Sequence, residues 1–267
     1  MSFVSIMSVT PTICELMHLP LPKASTHEVL REVITNAEAL LNRSVEKCFV
    51  YAPDAIGEAL FRDYSLAFQP VTRYAPVHAL YNSVFPPKTP ICFASMFTGQ
   101  PPDGHGITTP EKRVLTCETL FDILVKAGKK VSIVSVSGCS ISIIFQKRAL
   151  SYFTEKYDDE VNNKVLQLLE EDDCDFILAY NQEYDDSMHE TGPRSEKALK
   201  AMRNHIKSFV RMSEAFLDRY RNYTCLLAFT SDHGAHMDEQ TGKGTHGWDI
   251  PEDMAVRSFW GMHQASS

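Results

Sequence analysis

The sequence is poor in the features that mark secreted, membrane-spanning and nucleic-acid-binding chains. It has no CxxC pair, and its seven cysteines, at positions 14, 48, 92, 117, 139, 174 and 225, are odd in number. An odd count without paired spacing does not make a disulfide framework. Several sit in apolar runs, Cys48 in KCFVYA and Cys225 in TCLLAF, as buried thiols do in a reducing compartment. The opening MSFVSIMSVTPTICELMHLPLP has no basic n-region and no long unbroken apolar core, so it is not read as a signal peptide. No stretch stays apolar for the length that a membrane crossing needs. The expected location is the cytoplasm, with no membrane partner. Basic residues are in deficit, 26 Lys and Arg against 34 Asp and Glu, for a net charge of −8. Such a chain has no positive field to hold a nucleic acid polymer. A small anionic ligand needs only local positive charge and is not excluded. Internal repeats and low-complexity linkers are missing too, and 267 residues suit one domain over 1–267 with a sizeable core.

What is present is an alternation of helix and strand signals. Ser25 caps an expected helix through STHEVLREVITNAEALLN, with Val29, Leu30, Val33, Ile34 and Ala37 on its apolar face. KCFVYA (47–52) reads as a buried strand. A helix over 117–130 leads into the strand VSIVSV (131–136). A helix over 159–171 precedes the strand CDFILAY (174–180), and a long helix over 195–220 precedes the strand over 223–231. Strands separated by helices of this length predict an α/β fold. Its central sheet is mainly parallel, with helices on both faces. In such sheets ligands bind beyond the carboxyl ends of the strands.

Polar groups able to bind metal gather at those ends. Asp54 follows the strand 47–52. In SDHGAHMDEQTGKGTHGWD (231–249), Asp232 and His233 are adjacent at a strand end, and His246 lies in the Gly-rich stretch after them. Carboxylate and imidazole together suit zinc and similar ions. In YDDSMHETGP (184–193), Asp185 and His189 are spaced to share one face of a helical turn. In FPPKTPICFASMFTGQPPDGHGI (85–107), Thr89 opens a helix that runs to Phe97 and stops at Gly99. A hydroxyl there meets unpaired backbone N–H groups and the positive end of the helix dipole, which favour an alkoxide or a bound phosphate. Taken singly, each segment also has a plain reading: a solvated loop, an acidic helix start, an N-cap.

Together, and in this order, the segments resemble the alkaline phosphatase superfamily, in particular its type I phosphodiesterase/nucleotide pyrophosphatase-like branch. The resemblance covers about residues 46 to 261. A strand-end Asp comes first, like Asp54. Next a KT segment runs into TG…P..HGI, like Lys88-Thr89 through Thr98-Gly99, Pro102 and His105-Gly106-Ile107. Then comes D…H..GP, like Asp185, His189, Gly192 and Pro193, then SDHG, like Ser231 to Gly234, and a final GxHG, like Gly244 to Gly247. The resemblance implies an alkaline phosphatase-like core with two divalent ions, zinc by ligand type, with manganese as the alternative. One ion would be held by Asp185, His189 and His246. The other would be held by Asp54, Asp232 and His233, with Thr89 bound to it. It also implies that Thr89 attacks phosphorus and becomes a phospho-threonine, on a small phosphorylated substrate.

This sequence departs from the branch in three places. The aromatic-Pro-Asn run that follows the nucleophile is Pro90-Ile91-Cys92 here. The Asn that donates to a phosphate oxygen is replaced by Pro110, with Thr108, Thr109 and Lys112 as the nearby donors. Only a short stretch separates His233 from His246, which leaves no room for a large cap domain. Substrate selection then falls to short loops or another subunit, with 1–45 and 136–158 as candidates. Phosphodiester or pyrophosphate hydrolysis is the leading expectation. A phosphomonoesterase or phosphonate hydrolase is the alternative, with a phosphomutase or a non-catalytic module behind it. Among the remaining residues, Ser95 reads as packed, His105 as fixing a turn and His236 as a solvated loop residue. His18, His27, His78, His205 and His263 carry no signal. Trp248 and Trp260 read as packing residues, with Trp248 close enough to His246 in sequence to line a pocket, and EEDD (170–173) reads as a solvated turn.

Overall fold

Runs of β-branched, aliphatic and aromatic residues build the centre of the molecule. The computed structural model describes residues 4–171 and 174–266. In chain order, the strands within them are β1 (Val4–Ser5), β2 (Lys47–Pro53), β3 (Val77–Asn82), β4 (Val131–Val136), β5 (Ser151–Glu155), β6 (Phe176–Asn181), β7 (Cys225–Phe229), β8 (His236–Asp238), β9 (Lys243–Thr245) and β10 (Ala255–His263). Eight form one sheet in the order β1-β3-β10-β7-β2-β6-β4-β5. All of these run one way except β10, which is antiparallel to both β3 and β7. β8 and β9 pair as a separate antiparallel hairpin.

Every residue of β2, β4, β6 and β7 is buried, so both faces of the central sheet are covered. That is the pattern of a sheet between two helical layers. Helix Thr89–Thr98 packs with Val9–Leu16, Leu120–Lys126 and Ile141–Ile144. Helix Glu196–Arg219 packs with Asp158–Glu171, Glu183–Thr191 and Gln69–Tyr74. The fold is thus the expected α/β architecture, with a mostly parallel mixed sheet and an alkaline phosphatase-like core.

Several boundaries differ from the sequence reading. The first helix of any length after residue 25 is Arg31–Leu40, and Ser25 does not cap it. Residues 25–30 spend their polar groups on distant partners. Thr26 N–H donates to the Gly99 carbonyl at 2.7 Å, and Leu30 N–H donates to Thr12 Oγ1 at 2.8 Å. The helix expected over 117–130 is only Leu120–Lys126. Thr119 and Asp122 form a capping box there, which sets its start. Ser195 does cap the long helix Glu196–Arg219. Of the expected EEDD turn, Glu170 and Glu171 end the helix Asp158–Glu171, and the two Asp lie outside the described residues. No helix among the described residues is long and apolar enough to cross a membrane.

Candidate metal centre

The seven residues singled out in the sequence stand at or within a few residues of element ends. Asp54 directly follows β2, and Asp232 and His233 come shortly after β7. Helix Glu183–Thr191 begins just past β6 and puts Asp185 and His189 one turn apart. Thr89 is the first residue of helix Thr89–Thr98, with Lys88 as its N-cap. His246 directly follows β9. Part of the Gly-rich stretch before His246 forms the β8–β9 hairpin, and His246 itself lies in the loop that follows it. The hairpin lies against helix Glu183–Thr191, where His189 Nδ1 bonds the Gly244 carbonyl at 3.0 Å. A Cβ on Gly244 would stand 2.6 Å from the Met188 carbonyl oxygen, so only glycine allows this approach.

The seven side chains converge as two groups with Thr89 beside one of them. The donor atoms of Asp185, His189 and His246 all lie within 4.8 Å of one another, and so do those of Asp54, Asp232 and His233. His233 Nε2 is 3.3 Å from Asp232 Oδ2 and 3.5 Å from Asp54 Oδ1. In the other group, Asp185 Oδ1 is 3.4 Å from His189 Nε2 and 3.5 Å from His246 Nε2. Thr89 Oγ1 is 3.3 Å from Asp54 Oδ2 and 3.4 Å from His233 Nε2. The His233 and His246 rings stack with centroids 4.0 Å apart.

Three observations test whether these residues fit metal ions. First, the buried oxygens Asp54 Oδ1, Asp185 Oδ1 and Asp232 Oδ2 have no hydrogen-bond partner among the described residues, which is costly for a carboxylate unless a cation meets it. Second, each imidazole turns Nδ1 to a backbone carbonyl: His233 to Gly234 at 3.0 Å, His246 to Pro87 at 2.8 Å and His189 to Gly244 at 3.0 Å. Those bonds place the proton on Nδ1 and leave the Nε2 lone pair facing the group, as in histidines that bind metal. Third, the His–Asp donor spacings of 3.3–3.5 Å are close to those around a tetrahedral ion. Ligands about 2.0–2.1 Å from a tetrahedral ion stand roughly 3.3–3.4 Å apart.

The electrostatics point the same way. Burial, and then the charge of Asp185, holds the Asp54 carboxyl well above the usual carboxylate range. Burial and the Asp54 charge do the same to Asp232. Asp185 is pushed up to about 8 by burial and by the Asp232 charge. Burial drives His233 well below its ordinary value, His246 down to about 3, and His189 down as well. Three crowded carboxyls that resist ionisation and three neutral imidazoles are what a divalent cation would reverse and use.

A cavity of about 330 Å³ opens onto the site, lined by Lys88, Thr89, Pro110, Lys112, Ser140 and Asp186 among others. Of the donors near Pro110, Lys112 reaches this cavity and Thr108 and Thr109 do not. Of the two segments expected to select substrate, 136–158 contributes Cys139 and Ser140, and none of the described residues of 1–45 lines the cavity. Ser95 is buried and its Oγ lies 2.9 Å from His105 Nε2. His105 Nδ1 accepts the Ile107 N–H at 3.1 Å, so its proton sits on Nε2 and it cannot act as a base for Ser95. His105 therefore fixes a turn, as read.

His236 corrects the sequence reading. It is buried, not solvated, and its Nδ1 is 2.7 Å from Asp253 Oδ1. Trp248 is 59% exposed and covers the His236 ring from the solvent side, so it is not part of the core, whereas Trp260 is. Tyr180, whose hydroxyl donates to Asp54 Oδ2, was missed along with Asp253. Nothing local marks either residue.

Residues 75–248 match the model of the type I phosphodiesterase / nucleotide pyrophosphatase family. The chain belongs to that family. Asp54 lies outside the matched segment. The type I phosphodiesterases are metal-dependent phosphoesterases that typically bind two metals, and this member carries two candidate Asp/His groups. The fold is similar to that of human ectonucleotide pyrophosphatase / phosphodiesterase 5, at 17% identity and TM-score 0.58, over 73% of this chain and 59% of that one. Its murine counterpart gives a TM-score of 0.54 at the same identity and coverage. Phosphonoacetate hydrolase from Sinorhizobium meliloti 1021, in complex with phosphonoformate, gives 0.56 at 16% identity, over 75% of this chain and 60% of that one. At such identity the likeness speaks for the fold. The chain spans about three-fifths of the length of these structures. No curated protein matches it.

Proposed function

We propose that this chain hydrolyses phosphate esters with two divalent ions, through a phospho-threonine on Thr89. The observation that carries the reading is a hydroxyl at a helix start, within 3.4 Å of a group of metal-competent donors, with a second such group beside it. Asp54, Asp232 and His233 would hold one ion next to Thr89, and Asp185, His189 and His246 the other. When bound, two zinc or manganese ions would supply Lewis-acid activation of the hydroxyl and neutralise charge on the phosphoryl oxygens. Thr89 Oγ1 forms a bond to phosphorus, the ester oxygen opposite leaves with the electron pair of the broken bond, and the Thr89 proton passes by way of solvent to that oxygen, which departs as the alcohol. The positive end of helix Thr89–Thr98 favours the added negative charge, although Pro90 has no N–H and those of Ile91 and Cys92 donate to the Lys88 carbonyl. Water then breaks the phospho-threonine bond and frees the product. The buried thiols support a reducing compartment, such as the cytoplasm.

The family favours diester or pyrophosphate substrates. One observation favours the alternative, a monoester or phosphonate. Where the branch places a neutral Asn this chain has Pro110, and the cation of Lys112 lines the cavity instead. Its Nζ donates to the Gly138 carbonyl at 2.9 Å and has two further N–H donors. A cation at that place favours a dianionic phosphoryl group over the single charge of a diester. The test is metal content of the purified protein, together with hydrolysis of a chromogenic monoester and the matching diester. Two metals per chain and turnover of either ester are expected, and the faster ester decides between the substrates. A chain that takes up no zinc or manganese and turns over neither ester would refute the reading.

A further inference from the structure

Asp253 is fully buried, and the reaction described above does not use it. Its Oδ2 accepts the backbone N–H of Gly247 at 2.8 Å and of Trp248 at 2.9 Å. Its Oδ1 takes His236 Nδ1 at 2.7 Å, and its backbone carbonyl accepts the Gly234 N–H at 2.8 Å. Gly247 follows His246 and Gly234 follows His233. One residue thus fastens the chain just behind one imidazole of each metal-competent group.

The two loops depend on this grip unequally. His233 is fully buried between Asp54 and Asp232, which have anchors of their own: Tyr180 on Asp54, and the Ala55 N–H on Asp232 at 3.3 Å. His246 is tethered to the segment before Thr89, its Nδ1 on the Pro87 carbonyl at 2.8 Å and its own carbonyl accepting from Lys88 Nζ at 2.6 Å. Behind it, however, the chain turns through Gly247, at φ +120, into the exposed Trp248, and there Asp253 is the side chain that holds it. The geometry points to Asp253 as a positioning residue that sets where His246 stands and so completes the Asp185/His189/His246 group. This inference rests on the two-metal reading above. Without the carboxylate, the Gly247 and Trp248 N–H groups lose their acceptor inside the protein. The segment turns them toward water and swings the imidazole about its remaining tethers to Pro87 and Lys88. His236 holds the carboxylate in register from the other side, its ring packed under the Trp248 indole with centroids 4.6 Å apart.

The experiment titrates the metal-free full chain with Zn²⁺ against a chromogenic chelator, and with Co²⁺ by visible absorption, for wild type, Asp253→Ala and Asp253→Asn. Asp253→Ala should bind one ion at near wild-type strength and the other about 10–100-fold more weakly, with a change in one set of cobalt bands. Asp253→Asn keeps an oxygen acceptor for the two N–H groups and should recover most of the lost affinity. The inference is overturned if Asp253→Ala binds both ions like wild type, or loses both to the same extent with native circular dichroism. Should Asp253→Ala fail to fold, Asp253→Ser, whose short hydroxyl cannot reach both N–H groups, is judged by the same criteria. A wild-type chain that binds no metal would sink the two-metal reading and this inference with it. A wild-type chain that binds two, matched by Asp253→Ala, would sink this inference alone.

Discussion

Thr89 is an unremarkable residue type made special by its surroundings. A free threonine hydroxyl is a weak nucleophile at neutral pH and needs a base, a lowered pKa or a metal to act. Here Oγ1 lies 3.3 Å from Asp54 Oδ2 and 3.4 Å from His233 Nε2, at the start of a helix. Thr89→Ala removes the attacking atom and leaves the Asp and His donors in place. Turnover should fall by roughly 10³-fold or more. Metal content and thermal stability should stay close to wild type. Activity at wild-type level in the purified variant would show that another atom attacks. Ser95 is not that atom, because the proton on His105 Nε2 faces it.

The helix that presents Thr89 depends on how it ends as well as how it starts. Gly99 closes it at φ +68, with its N–H on the Ser95 carbonyl at 2.9 Å. An added Cβ would stand 2.0 Å from Ser25 Oγ, and the Gly99 carbonyl receives the Thr26 N–H. Gly99→Ala should therefore lower the unfolding free energy by about 2 kcal/mol: roughly 1–2 from the left-handed backbone, plus the displacement of Ser25. Chemical denaturation measures this, and a loss below about 0.5 kcal/mol would mean that the 25–30 segment yields freely. The same contact explains a failure of the sequence reading. Ser25 looked like a helix cap, but the partners that win residues 25–30 come from 12 and 99, which no local pattern reveals. The elements legible in the sequence were those buried on both faces, such as β2, β4, β6 and β7, because apolar runs mark β2, β6 and β7 and a Val/Ile-rich stretch marks β4. β3, β5 and β10 mix polar and apolar residues, since they lie toward the sheet edges or run antiparallel, and they escaped notice. The seven residues that converge at the site were legible as a spaced motif. Asp253, Tyr180 and the true environment of His236 were not, because they matter only through tertiary hydrogen bonds.

At the scale of the whole molecule, one histidine that carried no signal ties the sheet to the helical layer. His205, on helix Glu196–Arg219, is 1% exposed. Its Nε2 accepts the Tyr184 N–H at 3.1 Å, at the head of the helix that bears Asp185. Its Nδ1 therefore carries the proton and meets the Tyr51 hydroxyl of β2 at 2.8 Å. A proton added to Nε2 would face the Tyr184 N–H, in a place from which burial excludes water. That burial holds the His205 pKa down to about 3. Asp158, 4.0 Å from Nε2, gives little relief, since burial has raised its own carboxyl to about 7 and it becomes neutral as the pH falls. In the unfolded chain a histidine titrates near 6.5. The folded value is the lower one, so the contribution of His205 is present above pH 6.5 and is lost as pH falls from there toward 3. Between pH 7 and pH 5 the loss from this residue is about 2 kcal/mol. His233 and His246 titrate in the same direction, so the comparison must isolate His205. His205→Gln keeps an acceptor for Tyr184 and a donor for Tyr51 without a titrating proton. Its unfolding free energy, measured in urea across that range, should fall by about 2 kcal/mol less than that of wild type. Parallel curves for the two proteins would show that protonation of His205 does not oppose the fold.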